Sequence, residues 1–107
     1  RGFVLHSDDY RSDHATLCIP GGVGMTGSVD ILEELAAGRG PGAALMALGY
    51  SGWGPGQLEQ EILRNDWLTS DAPGELLFSR DDDAKWSAAL ALIGVDPMAL
   101  SGRAGRA

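Results

Sequence analysis

The chain has 107 residues, 44% of them hydrophobic, enough for one small globular domain. Asp and Glu number 15 against 8 Lys and Arg, a net charge of −7. That balance disfavours direct nucleic-acid binding and anionic membrane surfaces, because neutralisation of phosphate by basic side chains supplies most of such affinity. No stretch approaches the roughly 20 apolar residues of a membrane span. Cys18 is the single cysteine, which excludes an internal disulfide and makes a cytoplasmic location the expectation. The chain begins with arginine and enters a strand-like run at once without a signal-peptide pattern, so a piece of a longer protein is the expectation.

In chain order, residues 3–6 and 16–19 read as short strands flanking a polar loop. After Pro20 and a glycine-rich stretch, a helix is expected over 29–37, with Ser28 as N-cap, Asp30 in the first turn and Gly38 closing it. Residues 44–50 form the longest apolar run and are expected to be a buried strand. Pro55 suits the first position of a second helix, on which Leu58 and Ile62 face inward and Asn65 lies near the end. Residues 76–78 read as a fourth strand. Ser79 and Asp82 have the spacing of a capping box, and the helix that follows places Trp86, Ala89, Leu90 and Ile93 on one stripe before Gly94. Asp96 and Pro97 start a short last helix through Leu100, and residues 102–107 read as a frayed tail. The expected order is β-β-α-β-α-β-α-α, an α+β domain.

Four groups of residues have types that can carry chemistry. Gly22, Gly24 and Gly27 fit G-x-G-x-x-G, but no acidic residue closes the strand about 20 positions on, so a flexible glycine loop is expected rather than a dinucleotide site. His6, Asp8, Asp9, Asp13, His14 and Cys18 are metal-ligand types without zinc spacing; the expectation is no metal and a buried or half-buried thiol. No Gly-x-Ser-x-Gly elbow appears, and Asp81, Asp82 and Asp83 suit a negatively charged helix start. No catalytic residue and no cofactor are therefore assigned.

The densest feature is the segment 50–67, with Trp53, Gly54, Pro55, Gly56 and Gln57 at a turn into a helix and Trp67 at its end. Glycines there would let a ligand or partner approach the backbone, so Trp53, Gly54, Gly56 and Gln57 are the candidate contact residues. The turn lacks a P-loop lysine, and Glu59 and Glu61 would repel an anion, leaving a neutral or cationic ligand. The competing reading is a structural corner anchored by the two tryptophans.

The pattern Gly49-Tyr50-x-Gly52-Trp53-Gly54-x-Gly56-Gln57-Leu58-Glu59-x-Glu61-Ile62, followed by Asn65 and Trp67, resembles the signature of the YqgE/AlgH family. Residues 1–6, 28–33 and 92–96 agree with it in order. The resemblance implies a bacterial cytoplasmic α+β domain with a bent, partly barrel-like mixed sheet flanked by helices. It also implies that this chain is the C-terminal part of a larger domain, whose missing N-terminal part would leave apolar surface uncovered. The family is associated with transcriptional regulation and offers no catalytic residue to carry over. The reading that follows is a non-enzymatic regulatory or protein-interaction domain with a protein partner or self-association. The alternative is a small-molecule sensor or enzyme using the turn from Trp53 to Gln57.

Overall fold

The computed structural model describes residues 2–100. Its elements are β1 (Gly2–Ser7), β2 (Thr16–Ile19), β3 (Val23–Thr26), α1 (Asp30–Ala36), β4 (Ala44–Leu48), α2 (Gln57–Leu63), α3 (Gly74–Leu77), α4 (Asp82–Leu92) and a 3-10 helix at Pro97–Ala99. They fall into two compact units. One runs to Tyr50 and includes Pro73–Phe78; the other comprises Ser51–Ala72 and the chain from Ser79 onward. The tail at 102–107 lies outside the described residues.

The first unit is built on an open four-stranded sheet in the order β2-β3-β1-β4. Every pairing in it is antiparallel. The α+β class holds, but the element order differs at two points. Residues 23–26, expected within a flexible glycine loop, are the strand β3, paired on both sides. The reason is non-local. A Cβ on Gly24 would lie 2.5 Å from Cε1 of His6, the residue opposite it on β1, so glycine is what lets the imidazole lie across the strand. Gly21 and Gly22 do make the turn, with φ of 103° and 83°. The second difference is at 76–78, which belong largely to the helical turn α3 rather than a strand. Leu76 and Leu77 N–H groups donate to the Pro73 carbonyl, closing the turn locally.

Because cross-strand partners share a face, Val4, His6, Gly24, Thr26 and Thr16 lie on one side of the sheet, and Phe3, Leu5, Met25, Leu17 and Ala47 on the other. Val4, His6 and Thr26 on the first face are buried, and α1 contributes Ile31, which has no exposed surface. The polar members are satisfied together. The Ser7 carbonyl, 2.7 Å from His6 Nδ1, can only accept, so Nδ1 donates to it. His6 Nε2 shares a hydrogen bond with the Thr26 hydroxyl at 2.7 Å, and that hydroxyl bonds the Thr16 hydroxyl at 2.8 Å. Thr16 Oγ1 accepts the Ser12 N–H at 2.8 Å, and the Tyr10 ring stands edge-on to the imidazole at 5.5 Å. This hydrogen-bonded row crosses three strands.

The apolar run at 44–50 gives the strand β4 over Ala44–Leu48, but as an edge strand: Met46, Leu48 and, just past it, Tyr50 are exposed. Cys18, expected buried or half-buried, is exposed on the other edge strand. Ser28 is not the cap of α1. Its Oγ is buried without a hydrogen-bond partner, and Val29 occupies the N-cap.

Helix ends follow their sequence signals closely. Gly38, Asn65 and Gly94 all adopt positive φ just beyond α1, α2 and α4. Each closure has the paired bonds of a Schellman motif, such as Arg39 N–H to Glu34 carbonyl, Asp66 to Glu61 and Val95 to Leu90. The second unit begins α4 at Asp82, with Asp82 and Asp83 in the first turn. Ser79 does not form the expected capping box; its Oγ accepts from the Asp81 N–H two residues on. On α4 only Leu90 of the expected stripe is buried, while Trp86 and Ile93 are exposed. Asp96 caps the 3-10 helix through the Met98 N–H.

Candidate functional site

The turn into α2 is set by sequence. Pro55 and Gly56 are its central residues, Gly56 takes φ of 74°, and the Gln57 N–H donates to the Gly54 carbonyl at 3.0 Å. This is the type II pattern of proline then glycine. Pro55 therefore lies in the turn and not in the helix, which starts at Gln57. The Gln57 side chain reaches back, its Oε1 accepting from the Gly54 N–H at 2.9 Å.

One turn further along α2, Glu61 gathers the motif. Its Oε1 accepts from the Trp67 indole N–H at 2.8 Å and from that of Trp53 at 3.4 Å. Its Oε2 accepts from Gln57 Nε2 at 2.8 Å. The two indoles meet edge to face, with centroids 5.9 Å apart and planes at 75°. The Trp67 bond first, then the Gln57 bond, hold the Glu61 carboxyl below its ordinary value of 4.5. Trp53 and Trp67 remain 39% and 40% exposed, so they are neither buried anchors nor free rings.

Of the expected contact residues, Trp53, Gly54 and Gln57 are thus linked to one another through Glu61 and the turn, while Gly56 supplies the positive φ. Both ends of the Gln57 amide are engaged inside the protein. Sequence reasoning treated Glu61 only as a helix-start charge and missed it as the common acceptor. The signal was available: Glu61 lies one helical turn from Gln57, and three N–H donors need an acceptor.

The other candidate chemistry disperses. No group of three His, Cys, Asp or Glu side chains among the described residues is placed to hold a metal ion. His6 is engaged at both nitrogens. Asp9 accepts from Ser7 Oγ at 2.6 Å and the Gly42 N–H at 2.9 Å. Those bonds, in that order, lower its pKa.

A family model described as AlgH-like matches residues 1–98. The chain belongs to the AlgH-like family. A UPF0301 protein of Cereibacter sphaeroides is 64% identical over 107 residues, covering all of this chain and 58% of that protein. One from Bradyrhizobium diazoefficiens is 54% identical, with 50% of it covered. The solution structure of the AlgH protein from Pseudomonas aeruginosa matches with a TM-score of 0.75 at 44% identity, over 100% of this chain and 56% of that one. The chain thus spans about half the length of the relatives it matches. Within this AlgH-like chain, no helix among the described residues is long and apolar enough to cross a membrane.

An open depression lies on the sheet face of the first unit, lined by Phe3, Leu5, Met25, Ala47, Gly49 and Tyr50. Phe3 and Tyr50 meet edge to face there at 6.5 Å. Its lining is almost wholly apolar, and Leu17, 58% exposed, pairs with Met25 on the same face.

Proposed function

We propose that this AlgH-like chain is a non-enzymatic protein-interaction domain with a regulatory role in the cytoplasm. The observation that supports it is the apolar sheet face, where Tyr50 is 82% and Leu17 58% exposed beside the depression. Apolar surface of that kind suits the buried centre of a protein–protein contact. Net charge of −7 favours a protein partner over direct DNA contact, so the family's association with transcription would work through that partner. The small-molecule alternative draws on the Gln57 amide, whose donor and acceptor are both engaged internally.

The test is affinity capture from the native cell extract with tagged wild type and with the double variant Leu17→Ser, Tyr50→Ser. Both positions are exposed, so the variant should keep the wild-type melting temperature. The same partner should be recovered reproducibly with wild type and reduced at least about tenfold with the variant. Equal recovery by both, or no reproducible partner, overturns the reading.

A further inference from the structure

Glu61 has no direct ion-pair partner among the described residues; Arg64 attracts it only at longer range. Its three hydrogen-bond donors are all neutral: two indoles and a primary amide. Among the described residues no cation lies within ion-pair distance of it. Arg64, the nearest by sequence, has its guanidinium on Asp66 at 3.1 Å. An ionised carboxylate offers about four lone-pair sites, so three bonds leave Oε2 able to accept once more.

The two indoles bonded to the other oxygen of the same carboxylate favour a cation of one shape. Trp53 and Trp67 each keep about two-fifths of their surface in contact with solvent. Indole faces attract cations, and a planar guanidinium can lie on a ring while donating in-plane to a carboxylate. An ammonium offers a point charge without the stacking plane. We propose that Trp53, Trp67 and Glu61 form a seat for an arginine side chain on the partner protein. This rests on the interaction reading and names the chemistry of what is recognised. The overall charge of −7 would draw a basic segment toward the chain. The internal bonds hold the carboxylate and both rings in place, so little ordering remains to be done on binding.

The experiment is a titration of the protein with a capped Gly-Arg-Gly peptide, followed by NMR of the indole N–H signals. Peptides with citrulline and with lysine in place of arginine run alongside. Trp86, on α4 and outside the cluster, is the internal control. Arginine should shift the Trp53 and Trp67 signals saturably at millimolar concentration, leaving Trp86 unmoved. Citrulline, isosteric but uncharged, should give no saturable shift, and lysine a weaker one. Glu61→Gln should weaken arginine binding by about fivefold or more. Because that change also touches the internal bonds, the citrulline comparison on wild type decides independently. Absence of a saturable shift, an equal response to citrulline or lysine, or Trp86 moving in step overturns the seat. A silent seat with face-dependent capture intact would sink only this inference. A seat that binds while no partner is captured would instead sink the interaction reading.

Discussion

At the residue scale, His6 and Gly24 show how one contact decides two identities. His6 has no exposed surface, and its ring lies where any side chain on Gly24 would start. The ring is held at both nitrogens and is not free to swing aside. Gly24→Ala should therefore destabilise the protein by about 1–3 kcal/mol through overpacking. For a small domain that is a fall in melting temperature of about 5 °C or more. Were 22–27 a flexible loop, the same change would be neutral or mildly stabilising. Thermal unfolding of the variant separates the two. This contact was not legible in the sequence, because the glycine's reason sits 18 positions away (24 minus 6) on the neighbouring strand. The spacing of Gly22, Gly24 and Gly27 said only that the backbone was permissive.

At the element scale, what was legible was local. Gly38, Asn65 and Gly94 mark helix ends because a residue just past a helix must turn left-handed, and that demand is written at one position. Asp96 before Pro97 is equally self-contained. Ser28 and Ser79 fit the cap pattern as well, yet neither caps, since other bonds or burial take their hydroxyls. The run at 44–50 gave its strand but not its exposure, which depends on what lies beside the edge. The tight turn before α2 was legible from Pro55 and Gly56, while Glu61 as the common acceptor emerged only with the indoles in place.

That clasp carries a pH signature. The Trp67 and Gln57 bonds favour ionised Glu61, so its folded-state pKa lies below the ordinary 4.5. Its contribution is present above the unfolded value and is lost as pH falls through the lower folded value. Comparing melting temperatures of wild type and Glu61→Gln from neutral to acidic pH should show a constant gap above the ordinary glutamate range. The gap should narrow below it. A gap that is independent of pH, or that widens on acidification, would contradict the clasp.

At the scale of the whole molecule, two surface properties stand together: an acidic chain and an apolar sheet face. The family assignment came readily from sequence because the 50–67 pattern is long and specific, and the family match over residues 1–98 agrees. The apolar face did not, since Phe3, Leu5 and Met25 become one surface only after β1 pairs with β3. On β1, Phe3 and Leu5 alternate with Val4 and His6, and that alternation alone does not say which face stays open.

The most direct measurement of the proposed role is hydroxyl-radical footprinting of the full-length protein, alone and with its captured partner. Leu17, Met25 and Tyr50 should lose reactivity in the complex, while Met98, 89% exposed on the second unit, keeps it. Unchanged reactivity at Leu17, Met25 and Tyr50, with protection elsewhere, would contradict the interaction surface assigned to the sheet.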